Sequence, residues 1–203
     1  MTGNWEITNI VPGPDMPQKI ATAVSELNET MIGADYEAIA YIGEQVVNGI
    51  NHAVLAKQIL TTGRDTENIV LLIFNEKPGE IKLTLSAVER VLEGGFEFGG
   101  VDIDVNNVPD EVRDALTGFV GSNIEPVMLL ATQVVHGINF YVLAKSTPVV
   151  PDAKAKAVIM KINTEQELVS FIDILANKED NSLGYAFTWM ANNRFGKPLG
   201  EWP

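Results

Sequence analysis

Apolar positions early in the chain recur at helical spacing. Ile20, Ala23, Val24, Leu27 and Met31 fall at i, i+3, i+4, i+7 and i+11, which is one stripe along an amphipathic helix. Pro12-Gly13-Pro14 breaks the chain ahead of this stripe, Asp15 is placed to cap it, and Pro17 suits its first turn. The helix is expected to end near Gly33. Trp5 to Val11, before it, reads as a strand, and everything after it has strand chemistry. Residues 36–47 run into a turn at Asn48-Gly49, and the chain continues from Ile50 to Thr61. It breaks at Thr62-Gly63-Arg64-Asp65, resumes from Asn68 to Asn75, turns at Lys77-Pro78-Gly79 and closes with Ile81 to Val91. Strands joined by short Gly-containing turns predict an antiparallel meander.

The same order then returns. A glycine-rich junction spans Gly94-Gly95 to Gly99-Gly100, and Val101 to Val105 can open a second sheet. Pro109 and Asp110 begin a shorter helix with Val112, Ala115, Leu116, Phe119 and Val120 on one face, ended by Gly121. Strands are expected at 127–135, 138–146, 156–162 and 167–175. The recurrence is sharpest in one phrase. Residues 45–57 read Gln-Val-Val-Asn-Gly-Ile-Asn-His-Ala-Val-Leu-Ala-Lys. Residues 133–145, 88 positions later, agree with them at 10 of 13 positions. A repeat of that period means two homologous units. The spacing from Pro17 to Gln45 is 28, and from Pro109 to Gln133 it is 24, so the second helix is about one turn shorter. The reading is therefore α+β, with units at 1–93 and 94–176, each one helix packed on an antiparallel sheet of about five strands. Residues 177–203 have no counterpart. Their Tyr185, Phe187, Trp189, Phe195 and Trp202 are expected to dock on one of the units.

Composition narrows the chemistry. The net charge of −13 is shared evenly: residues 1–95 hold 13 acids and 6 bases, the remainder 14 and 8. Such a surface disfavours nucleic acid and anionic membranes. There are no cysteines, hence no disulfide framework, thiol nucleophile or Cys-based metal site. No run of about 18 apolar residues is present, and the N-terminal sequence lacks a basic and apolar leader. These features predict a cytoplasmic protein, or a secreted one whose leader has been removed. His52 and His136, the two histidines, do not align between the repeats and are expected to be solvated; no carboxylate pair stands out as acid and base. The glycine cluster lacks the following helix of a dinucleotide fingerprint. An enzyme is the least favoured class, and no cofactor or metal is implied.

The phrase Gln-Val-Val-x-Gly, with Asn two positions on and a strand ending in Lys, resembles the first hairpin loop of the cystatins and stefins. These inhibit papain-like cysteine proteases, and their order is strand, helix, then four strands. The resemblance implies two tandem cystatin-like domains and a papain-like protease as partner. It implies a three-part wedge made of an N-terminal glycine, the first hairpin and a second hairpin carrying Pro with Gly or Trp. In the first repeat these parts would be Gly3; Gln45, Val46, Val47, Asn48 and Gly49; and Pro78 and Gly79. In the second they would be Gln133, Val134, Val135, His136 and Gly137. There the second turn, Asn163-Thr164-Glu165-Gln166, lacks Pro and Gly, and Gly95 is tethered. The first repeat is thus the expected stronger inhibitor, as a monomer or a domain-swapped dimer. Adjacent valines at a hairpin tip send side chains to opposite faces, so at least one of each pair stands free of the core. A preformed hairpin also avoids part of the ordering cost of binding. Two other readings stay open. One is a non-inhibitory binding or assembly module on the same fold. The other is a latexin-like inhibitor of metallocarboxypeptidases, a class that also resembles two tandem cystatin folds but lacks this phrase.

Overall fold

Thirteen residues, Gln18–Thr30, form helix α1, and its buried positions are Ile20, Ala23, Val24 and Leu27. These are the predicted stripe without Met31, which lies past the last turn and is largely exposed. The computed structural model describes residues 4–61, 66–93, 108–117, 119–163 and 169–176. Pro17, not Asp15, precedes the helix, and no side chain caps it. Asp15 instead closes a 3-10 turn at Gly13–Asp15. The carbonyl of Pro17 takes the Ile20 and Ala21 amides at 2.8 and 3.2 Å. Gly33, at φ +93°, turns the chain out of the helix into the first long strand.

The first sheet contains β1 (Trp5–Glu6), β2 (Val11–Pro12), β3 (Ala34–Val47), β4 (Gly49–Leu60), β5 (Thr66–Glu76) and β6 (Thr84–Glu93). Its order is β1-β3-β4-β5-β6, with β2 also on β3, and every pairing is antiparallel. The single opening strand expected over Trp5 to Val11 is therefore two short pieces. The cause is β3, whose register slips between Ala38 and Ala40 and again between Tyr41 and Gly43. Bulges bend a strand and interrupt pairing along its edge. At the second bulge, the Glu6 carbonyl lies where a side chain of residue 43 would begin, so only glycine lets β1 approach.

The second half has α2 (Asp110–Leu116), β7 (Ser122–Val135), β8 (Gly137–Pro148), β9 (Lys156–Asn163) and β10 (Val169–Asp173), with sheet order β10-β9-β8-β7. Helix α2 has seven residues and is shorter than α1 by nearly two turns rather than one. Val120, expected on its face, is exposed beyond its end. The second sheet has four strands among the described residues. The proposed strand at 101–105, the glycine junction and the aromatic tail lie outside them.

Side-chain alternation sets the layers. On β4 and β5, Val54, Ala56, Val70, Leu72 and Phe74 pack with the α1 stripe. The alternate set, Ala53, Leu55, Ile69, Leu71 and Ile73, shares a core with Met128, Leu130, Tyr141, Leu143, Ala157 and Ile159 of the second sheet. The opposite face of that sheet packs Val142, Ala144, Val158, Met160 and Ile162 with Val112 of α2. The order of layers is helix, sheet, sheet, helix. Lys145 reaches across the middle and donates to the Thr8 carbonyl at 2.8 Å. Central strands apolar on both faces explain why Val54–Ala56 and Ile69–Phe74 read as continuous hydrophobic runs. Among the described residues the fold is mixed, mostly antiparallel sheet with two helices, in the α+β class. Among the described residues no helix is long and apolar enough to cross a membrane.

Candidate functional site

The first phrase forms the β3–β4 hairpin. Val47 pairs with Gly49, leaving Asn48 alone at the tip, and Val46 pairs with Ile50. Val46 is 59% exposed, whereas Val47 is half-buried. Gly49 adopts φ +109°, a region open to glycine at little cost. It is also pressed against the next strand, where the Glu76 carbonyl and the Lys77 Cα occupy the space a side chain would need. Pro78 and Gly79 are exposed in the tight turn that follows, closed by Glu80 N–H donating to the Lys77 carbonyl at 3.1 Å. Gly79 has φ +82° and nothing near its Cβ position. On the other side of the hairpin, Trp5 is in register with Gln45 and packs on the central core. The N-terminal strand, the first hairpin and the Pro78-Gly79 turn therefore sit side by side at one end of the sheet. Gly3 lies outside the described residues.

Two polar chains brace this end, one on each face. On the face toward the second sheet, Asn75 Nδ2 donates to Asn51 Oδ1 at 2.8 Å, and Asn51 Nδ2 donates to Gln45 Oε1 at 3.1 Å. The amides span three strands in register. On the helix side, His52 is 1% exposed. Its Nε2 lies 2.9 Å from Glu76 Oε2 and its Nδ1 lies 3.1 Å from the Tyr41 hydroxyl. A carboxylate only accepts, so in the neutral ring Nε2 donates to Glu76 and Nδ1 accepts from Tyr41. Lys19 of α1 completes the chain at 2.6 Å from Glu76. The solvated histidine expected from sequence is thus a buried one. It points to the helix side because it shares a face of β4 with Val54 and Ala56, and Tyr41, Glu76 and Lys19 satisfy the cluster. Burial pushes the Tyr41 phenol up to about 12, and the nearby Glu44 and Glu76 charges add to this. The hydrogen bonds from Lys19 and then His52 hold the Glu76 carboxyl below its ordinary value. The chain ties β3, β4, β5 and helix α1 together at this end of the sheet.

The second phrase repeats the first half of this arrangement. Val135 pairs with Gly137 across His136, and Gly137 has φ +87°. Asn163 Nδ2 donates to Asn139 Oδ1 at 2.6 Å, and Asn139 Nδ2 donates to Gln133 Oε1 at 2.8 Å. The helix-side chain is absent in kind: Phe140 stands where His52 stands, packed in an apolar core. The tip itself is more open, with Val134 83%, Val135 46% and Ile138 40% exposed. His136 is exposed. Of the turn expected at 163–166, Asn163 alone is described, and Gly95 lies outside the described residues.

Sequence reasoning missed Asn75, Asn163, Tyr41 and Glu76. For the two asparagines the signal was present: they stand 88 positions apart, the offset of the phrase itself. Among the described residues no group of three or more His, Cys, Asp or Glu could hold a metal ion. No protein-family model, curated protein or solved structure matches the chain.

Proposed function

We propose that this protein is a reversible inhibitor of papain-like cysteine proteases, built from two cystatin-like units at 1–93 and 94–176. Each unit would insert its Gln-Val-Val-x-Gly tip into the protease cleft. The observation that carries the reading is the tip of the first hairpin: Val46 is exposed on a turn that Gly49 fixes against Glu76. An exposed valine on a braced hairpin suits an apolar cleft, and the rigidity spares ordering entropy on binding. The reading is supported by the neighbours of the hairpin: Trp5 of the N-terminal strand pairs with Gln45 on one side, and the Pro78-Gly79 turn lies on the other. Blocking of this kind offers no scissile bond, so no catalytic residue is required. The test is titration of active papain with the intact chain, with the inhibition reversed on dilution.

A second reading, a binding or assembly module without inhibition, is favoured by one observation. The Gln and Asn of both phrases spend side-chain amides inside the sheet, so duplication of the phrase can reflect folding alone. Inhibition of a metallocarboxypeptidase with no effect on papain would instead support the latexin-like reading.

A further inference from the structure

We infer that Asn75 and Asn163, which lie outside the repeated phrase, are positioning residues for the two hairpin tips, each the anchoring member of a three-strand amide ladder. The inference deepens the inhibitor reading and rests on it only for the inhibition arm of its test. In the first half the ladder runs Asn75 to Asn51 to Gln45, in the second Asn163 to Asn139 to Gln133. Direction and strand order are the same, and the pairs Asn51↔Asn75 and Asn139↔Asn163 are in direct register. Asn139 and Asn163 are each 4% exposed, while Gln45, Asn51 and Asn75 are half-buried. Amides withdrawn from water are costly to leave unpaired, so the ladders discriminate against a slipped strand, the second more strongly.

What the ladder fixes is the tip. Asn75 precedes Glu76, whose carbonyl abuts Gly49, and Glu76 leads into the Pro78-Gly79 turn. Holding Asn75 to Asn51 therefore sets the distance between the first hairpin and the second turn. In the second half the link is more direct, because Asn163 Nδ2 also lies 3.4 Å from the carbonyl of His136 at the tip. Phe140 takes the place of His52 there, so the polar chain through His52 is not repeated among the described residues, and the amide ladder is the device the two halves share.

The experiment uses the full chain with Asn75→Ala and Asn163→Ala, and with Asn75→Asp and Asn163→Asp, which keep the shape and remove the donor. Amide hydrogen exchange is followed at 45–51 and 133–139. Each substitution is expected to speed exchange at its own tip at least tenfold and to leave the other tip unchanged. Loss of papain inhibition should follow Asn75→Ala at least tenfold, and the Asn51→Ala, Asn75→Ala double variant should be no worse than either single one, the signature of residues acting as a unit. Unchanged exchange at both tips, or equal acceleration at both, overturns the inference. If the wild-type chain does not inhibit papain, the inhibitor reading fails while the exchange result still decides the ladder.

Discussion

The carbonyl oxygen of Glu76 occupies the place where a Cβ on residue 49 would sit, so Gly49 is held in the first hairpin by the strand beyond it. Gly79, also at positive φ, has open space around it. Gly79→Ala is expected to cost about 1 kcal/mol, from backbone strain alone. Gly49→Ala carries the same strain plus a backbone clash. It is expected to cost at least about 2–3 kcal/mol and to weaken papain inhibition more than tenfold. Denaturant unfolding of the two variants, set beside their inhibition constants, checks both.

His52 joins β3, β5 and, through Glu76 and Lys19, helix α1. Phe fills the corresponding place in the second half without these partners. His52→Phe should therefore fold, but it strands the Tyr41 hydroxyl and removes a donor from Glu76. The expected loss is about 1–3 kcal/mol in urea unfolding. Tyr41→Phe removes one neutral hydrogen bond and should cost only about 0.5–1.5 kcal/mol.

Acid should weaken the Lys19–Glu76 link. Lys19 and then His52 hold the Glu76 carboxyl below its ordinary value in the folded state. A group depressed in this way stabilises the fold above its unfolded pKa, about 4.3 for Glu. The contribution is lost as the pH falls through the lower folded value. Both partners are partly exposed, so the ion pair is worth under about 1 kcal/mol. Lys19→Met should be slightly less stable than wild type at pH 7, and the gap should narrow as the pH falls below the ordinary Glu range. Thermal melting of the pair at pH 7, 5, 4 and 3 follows this.

The chain's element order was legible because the helix stripe and the turn glycines are local signals. Ile20, Ala23, Val24 and Leu27 lie where periodicity put them, and Gly33, Gly49, Gly79 and Gly137 all take positive φ. What sequence did not show was the shared central core. Leu55, Ile69 and Leu71 read as buried strand residues, but nothing local says that their partners are Leu130, Leu143 and Ile159. The fate of His52 was hidden for the same reason, since its partners lie 11 and 24 residues away. Strand alternation required at least one valine of each pair to stand free of the core; in the first pair it is Val46, and in the second both Val134 and Val135 are exposed. Asn75 and Asn163 carried the 88-residue offset of the phrase, but their pairing with Asn51 and Asn139 showed only once β5 and β9 were in register.

A core common to both sheets has a consequence for unfolding. Leu55→Ala in the first sheet and Leu143→Ala in the second each remove a fully buried side chain from that core. Each should cost about 2–5 kcal/mol, and each should lower one common transition. Two separated transitions, of which each variant shifts only one, would show instead that the halves unfold independently. Calorimetry of wild type and both variants decides this.

In the proposed inhibitor, the exposed valine of the first hairpin is the side chain that enters the protease cleft. Val46 is 59% exposed, so Val46→Glu should change stability by no more than about 0.5 kcal/mol while placing a charge where the wedge must be apolar. The direct measurement is a papain titration with wild-type and Val46→Glu protein, both shown by melting to be folded. Reversible inhibition by the wild type below micromolar concentration is expected, with at least a hundredfold loss in Val46→Glu. A folded wild type that leaves papain uninhibited at micromolar concentration, or a Val46→Glu variant that inhibits equally well, would rule out the inhibitor function.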